Sequence, residues 1–148
     1  RLSLVGSEMC IRDRSGASAE ALRDGWLNTG DLGYLDDEGF LCISGRVKEL
    51  INRGGEKIAA AEIEACIGDM PGVTEVAVFA VPDPQLGEAV ALVVQGCELP
   101  SSEAIRAFIA ARLAGYKVPA QVFRVVEPLP RNATGKVLKD ALKQRLLR

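Results

Sequence analysis

The chain has 148 residues, 48% of them hydrophobic and 26% charged, with a formal net charge of −2. That is room for one ordinary globular domain with a little left over, and it excludes a fibrous or disordered chain. The weakly acidic balance gives no electrostatic footprint for nucleic acid or an anionic membrane surface, and no apolar run approaches the roughly 20 residues of a bilayer span.

The chain opens on Arg1 rather than methionine, so an upstream start is expected. Residues 1–14, RLSLVGSEMCIRDR, have no sustained period of either kind, and their apolar stretch is too short for a signal-peptide core. The segment resembles a translated sequencing-adapter artefact and is set aside as a leader; an irregular native leader is the alternative.

From Ser15 the pattern becomes orderly. Ala19–Arg23 reads as a short helix ended by Asp24-Gly25. Trp26 to Ser44 alternates turn signals, Thr29-Gly30-Asp31 and Asp36-Asp37-Glu38-Gly39, with apolar pieces, the pattern of short antiparallel strands closed by Gly45. Val47–Asn52 reads as a strand followed by the turn Arg53-Gly54-Gly55-Glu56. Ile63, Cys66, Ile67 and Met70 then recur at i, i+3, i+4, i+7, one face of a helix stopped by Pro71-Gly72.

Val73–Val81 and Ala89–Gln95, rich in Val and Ala, predict two strands joined by a loop at Pro82-Asp83-Pro84. Ser101-Ser102-Glu103 opens a helix with the face Ile105, Phe108, Ile109 and Leu113, and Gly115 stops it. Gln121–Val126 is a third strand, Pro128–Gly135 a loop, and Val137–Leu147 a final amphipathic helix through Leu138, Ala141, Leu142 and Arg145. The expected fold is α+β: a sheet of about three strands with flanking helices and a β-hairpin at its N-terminal side. The boundary with the preceding segment falls at Gly45–Lys48.

Cys10, Cys42, Cys66 and Cys97 are scattered without a C-x-x-C pair, and the chain has no histidine, which argues against a zinc site. They read as reduced thiols of a cytosolic protein, mostly small core residues.

Three polar clusters interrupt the core pattern. In Thr29-Gly30-Asp31 a carboxylate after a glycine turn can accept hydrogen bonds from a vicinal diol, although in isolation an aspartate satisfying its own turn is the better account. Gly45-Arg46-Val47-Lys48-Glu49 leads to Arg53-Gly54-Gly55-Glu56-Lys57, where paired glycines let a ligand approach the backbone and Arg46 offers a planar fork of donors. It is not a phosphate-cradling P-loop, and taken alone it is a charged turn. Pro130-Arg131-Asn132-Ala133-Thr134-Gly135-Lys136 would project Lys136 outward at the start of the last helix. A lysine there can neutralise phosphate and carboxylate oxygens together, whereas a merely solvated one would sit unfavourably against the positive end of the helix dipole.

In this order the clusters "DGWLNTGDLGYLDDEGFLCISGRVKELINRGGEKI" and "LPRNATGKVLK" resemble the adenylate-forming superfamily of acyl-CoA synthetases, adenylation domains and luciferases, from Ser15 to the C-terminus. The resemblance implies the C-terminal lid of an AMP-forming acid–CoA ligase. Residues 15–45 would be the end of the large AMP-binding domain, a remnant of its β-subdomain, and residues 46–148 the lid. It implies that Asp31 and Arg46 hold the ribose hydroxyls of ATP or AMP, and that Lys48 is the hinge. Gly54, Gly55 and Glu56 would line the pantetheine tunnel of CoA, and Lys136 would be the catalytic lysine of adenylation. ATP, CoA and a carboxylic acid are the implied substrates. Mg2+ would be held, like the acyl group, by the large domain, and the location would be cytoplasmic.

Ala59-Ala60-Ala61-Glu62 stands where many relatives open the helix with a Ser-Pro pair, so an N-cap side chain is missing at a cost of about 1 kcal/mol. Two other readings stay open: the lid of a carrier-protein-loading adenylation domain, and a non-catalytic α/β binding module. Asp is usual at the hinge of peptide-synthetase domains, so Lys48 favours the CoA ligases.

Overall fold

The computed structural model describes residues 22–23 and 25–147. The residue 1–14 leader with Cys10, and residues 19–21 of the expected first helix, lie outside them. The described residues fall into two units, one ending at Asp31 and the other starting at Leu32.

In the first unit, β1 (Leu22–Arg23) pairs antiparallel with β2 (Trp26–Leu27), with Leu22 opposite Leu27. Leu22 and Arg23 are therefore strand rather than the end of a helix. A short segment turning at Gly25 closes a ladder more readily than one isolated turn nucleates a helix.

β3 (Asp31–Leu35) begins at the division between the units and pairs with β4 (Leu41–Arg46). Asp36 closes the connection, its side chain accepting from Glu38 N at 3.0 Å and Phe40 N at 2.8 Å. This small sheet leaves Tyr34, Leu35, Phe40, Leu41 and Ile43 each at least 60% exposed.

Val47–Glu49 is one turn of 3-10 helix, so β5 begins only at Leu50 and runs to Arg53; β6 is Glu56–Ala59. The expected strand Val47–Asn52 ends one residue later, at Arg53, and starts three later because Leu50 N donates back to the Val47 carbonyl and holds Val47–Glu49 in the turn. α1 (Ala60–Gly68) follows, then β7 (Glu75–Asp83), β8 (Gly87–Gln95), α2 (Ser102–Ala110), β9 (Gln121–Val125) and α3 (Lys139–Leu146).

β8 is the centre of a five-stranded sheet. Along one edge it pairs antiparallel with all of β7, from Asp83↔Gly87 to Glu75↔Gln95. On the other edge it pairs in parallel with β9, from Ala91↔Gln121 to Gln95↔Val125, and at its start Arg53↔Gly87 brings in the β5–β6 hairpin. The expected three strands and hairpin are thus present, and the hairpin is stitched into the same sheet. α2 supplies the crossover that a parallel β8–β9 pair requires.

The unbroken apolar run of β8 follows from burial on both faces. Val90, Leu92 and Val94 pack with Ile63 and Ile67 of α1 and Ile105 and Ile109 of α2. Ala89, Ala91 and Val93 pack on the opposite side with Leu129 and with Leu142 of α3. Ser101 caps α2 by accepting from Ala104 N at 3.2 Å, whereas α1 starts after Ala59 with no side-chain cap, as its alanines imply.

β7 is an edge strand, which accounts for its running on through Pro82, where an N–H is not needed. Its Val78 N–H is taken by Glu64 Oε1 of α1 at 2.8 Å.

Candidate functional site

Lys136 lies in a loop, three residues before α3, rather than in the first turn of that helix. Val137 forms an antiparallel bridge with Arg131, and Leu138 N donates to the Pro130 carbonyl at 2.7 Å. The bridge holds Val137 extended and leaves Leu138 as the N-cap, so the helix starts only at Lys139.

Inside the bridge the chain turns tightly. Asn132 N donates to the Lys136 carbonyl at 2.9 Å, and Gly135 N to the Asn132 carbonyl at 2.9 Å. The Asn132 side-chain oxygen accepts from Thr134 N at 3.1 Å, Thr134 Oγ1 at 2.8 Å and Lys136 N at 2.8 Å. Arg131 anchors the turn to β7, its guanidinium donating to the Gly135 carbonyl at 2.5 Å and to Glu75 Oε1 at 2.7 Å. That hydrogen bond from Arg131, with a further one from Leu129 N and against a cost of burial, holds the Glu75 carboxyl below its ordinary range.

The Lys136 side chain leaves this scaffold 60% exposed, and its ammonium meets Glu49 Oε1 at 3.2 Å. Glu49 Oε2 is 3.6 Å from Lys139 Nζ, which also reaches Glu64 Oε1 at 2.9 Å. Partial burial pushes the Glu49 carboxyl up. The Lys136 hydrogen bond and the charges of Lys139, Lys136 and Arg46 outweigh that push and leave it below its ordinary value.

A groove of about 510 Å³ runs beside this network, with Lys48, Glu49, Lys136, Lys139 and Lys143 along it and Leu50, Val78 and Phe79 among its apolar wall. Lys143 Nζ stands 5.5 Å from the centroid of the Phe79 ring.

The remaining expected residues are distributed as follows. Lys48 is the middle residue of the 3-10 turn between β4 and β5, next to Glu49. Arg46 is the last residue of β4. Gly54 and Gly55 form the two-residue turn of the β5–β6 hairpin at φ 60° and 96°, the positive pair that such a turn demands, with Glu56 opposite Arg53. Gly54 N donates to the Leu86 carbonyl at 2.8 Å, while the space a Cβ of Gly55 would take is open. Asp31 belongs to the first unit, where its N–H donates to Thr29 Oγ1 at 3.1 Å.

The structure therefore brings Lys136 to the residue beside Lys48 and puts the Gly54-Gly55 turn at the far end of β5. Sequence reasoning did not single out Glu49, Lys139, Glu64, Arg131 or Asn132. Among the described residues no group of three or more His, Cys, Asp or Glu side chains could hold a metal ion, and Cys42, Cys66 and Cys97 are free thiols. No helix among them is long and apolar enough to cross a membrane.

Comparison with known proteins gives a consistent picture. The family model described as the AMP-binding enzyme C-terminal domain matches residues 62–136. The long-chain-fatty-acid–CoA ligase FadD13 of Mycobacterium tuberculosis is 45% identical over 145 residues, 95% of this chain and 29% of its own length. The indoleacetate–CoA ligase of Aromatoleum aromaticum is 44% identical over 135 residues, covering 89% of this chain and 26% of that one. Among solved structures, o-succinylbenzoate CoA synthetase of Bacillus subtilis, in complex with its acyl-adenylate intermediate, superposes with a TM-score of 0.82 at 40% identity. It covers 88% of this chain, which spans 27% of that one. This chain thus spans less than a third of the length of the relatives it matches.

Proposed function

This chain belongs to the AMP-binding enzyme C-terminal domain family, and on that premise we propose that it is the lid of an AMP-forming acid–CoA ligase, working against a large domain that holds the nucleotide and the acid. The observation that carries the reading is Lys136: an exposed cation on a braced turn, resting on the residue next to Lys48. The apolar side chains exposed on β3 and β4 support a covering partner domain.

The reaction has two steps. A carboxylate oxygen attacks the α-phosphorus of ATP, the bond to the β-phosphate oxygen breaks, and pyrophosphate leaves. Carboxylate and triphosphate repel each other, so the Lys136 ammonium lowers the barrier by countering the charge where they meet and fixing their approach. Asp31 and Arg46 bind the ribose hydroxyls. The lid then turns about Lys48, withdrawing Lys136 and presenting Gly54, Gly55 and Glu56 to the pantetheine arm of CoA. The open backbone at Gly55 suits close contact with an extended chain. The CoA sulfur attacks the acyl carbon, AMP departs, and the thiol proton passes to solvent. Mg2+ bound with ATP would supply charge neutralisation, on ligands that belong to the large domain.

The boundaries at residues 15–45 and 46–148 follow from the same reading, and the free thiols support a cytoplasmic location. In the full-length ligase, Lys136→Ala should abolish ATP–pyrophosphate exchange and leave thioester formation from supplied acyl-adenylate intact; equal loss of both steps would sink the assignment. Offering CoA beside a phosphopantetheinylated carrier protein identifies the acceptor, with CoA expected.

A further inference from the structure

Lys136 is useful only if a long, flexible side chain starts from a fixed point. Residues 131–136 are all exposed, so bonds within the turn, rather than burial in the core, must fix it. The bonds that do so converge on one atom. Asn132 Oδ1 accepts three hydrogen bonds, the shortest two at 2.8 Å, from Thr134 Oγ1 and from the Lys136 backbone N–H. Arg131 then connects the turn to β7, spanning the Gly135 carbonyl and Glu75. Glu75 is itself tied to the loop's entrance by Leu129 N at 3.2 Å.

The two fixings are separate. The backbone of Lys136 is fastened to Asn132, while its ammonium rests on Glu49 across an exposed contact that is weak in water. Lys139 stays on Glu49 and Glu64 when Lys136 lets go, so Glu49 is not left without a counter-charge. The side chain can leave for a substrate at small cost while its origin stays put.

We propose that Asn132, braced by Arg131, is the positioning residue for Lys136: its carbonyl oxygen fixes the point from which the ammonium reaches the reacting phosphate. This rests on the lid reading above and adds to it the residue that sets the lysine's aim.

The test uses the full-length ligase and three variants, Asn132→Ala, Asn132→Asp and Lys136→Ala, each measured for ATP–pyrophosphate exchange and for thioester formation from supplied acyl-adenylate. Asn132→Ala removes the acceptor and should cut exchange by about 10- to 100-fold, the range for a misplaced reacting group. Thioester formation on the same preparation should be unchanged, which a misfolded lid could not achieve. Asn132→Asp keeps the acceptor oxygen and should restore exchange. In the full-length proteins, the Lys136 amide should exchange its hydrogen faster in Asn132→Ala than in Asn132→Asp. Full exchange activity in Asn132→Ala beside an inactive Lys136→Ala would overturn this inference alone, as would equal loss in both half-reactions or no rescue by Asp. Retained exchange in Lys136→Ala would overturn the lid reading, and this inference with it.

Discussion

Lys136 Nζ stands 3.2 Å from Glu49 Oε1, a pair separated by 87 residues of sequence. The contact joins distant parts of the second unit: Glu49 closes the 3-10 turn before β5, and Lys136 closes the turn before α3. Because Lys139 binds the second Glu49 oxygen, the carboxylate is shared between a loop and a helix, and the groove beside it has a charged rim.

The pair should respond to acid in one direction. Burial raises the Glu49 carboxyl, but Lys136, Lys139 and Arg46 bring it below its ordinary value. A carboxyl lowered on folding contributes stability that is complete above its unfolded value and lost as pH falls through the folded one. The pair should therefore hold at neutral pH and open only below the usual glutamate range. An NMR titration of the Glu49 carboxyl carbon should give a midpoint lower than that of an unstructured peptide; coincident midpoints would mean that the pair does not form in solution.

Ala59→Ser should stabilise the chain by about 1 kcal/mol. Ala59 has the extended φ −77° and ψ 119° of an N-cap residue and no side chain to offer the free N–H groups of α1. Urea denaturation of the two proteins is sufficient, and a lower midpoint for the variant would refute the cap assignment.

Gly96→Ala should destabilise by about 1–3 kcal/mol. A Cβ built at Gly96 falls on the Gly72 carbonyl oxygen, a backbone atom with little freedom to retreat because Thr74 N, two residues on, is bonded to Gln95 O at 2.8 Å. Gly115→Ala, where nothing lies within 4 Å, serves as the control and should be close to neutral in the same thermal melts.

Lys48→Pro should separate the two half-reactions the other way from Lys136→Ala. Proline disfavours helical dihedrals in the residue before it, here Val47, and so opposes the 3-10 turn of Val47–Glu49. On the hinge reading, adenylation persists and thioester formation falls; unaltered kinetics in both steps would remove Lys48 from the hinge.

Much of the fold was legible because it rests on local pattern. The i, i+3, i+4 spacing of Ile63, Cys66 and Ile67 gave α1, and Ser101 with Ile105 and Ile109 gave α2 together with its cap. The apolar run of β8 likewise announced a strand, and burial on both its faces explains why that run is unbroken. What escaped was decided by partners distant in sequence or by single side chains. The start of α3 moved from Val137 to Lys139 because the bridge to Arg131 holds Val137 extended and Asn132 N takes the Lys136 carbonyl that a longer helix would have used. Leu22 and Arg23 became strand because Trp26 and Leu27 return beside them. Of the candidate site, the glycine turn and the lysine were readable as motifs. Glu49 was not, since Lys136 and Lys139 reach it only after the segment that leads into α3 has been brought against the 3-10 turn.

β5 has one further consequence through its length. Lys136 is tethered beside its first residue, through Glu49, and the Gly54-Gly55 turn follows its last, with the 4 residues of the strand between them. At about 3.3 Å per residue, that is a rod of roughly 13 Å. On the proposed reading, the lid resembles a double-ended tool whose two working tips cannot enter one socket together, so alternation needs no separate gate. Lengthening the rod by two residues would preserve which face each side chain occupies and carry the glycine tip about 7 Å farther from the lysine. Selection for one shared active centre would then act on the length of a short strand as strictly as on the identity of the lysine.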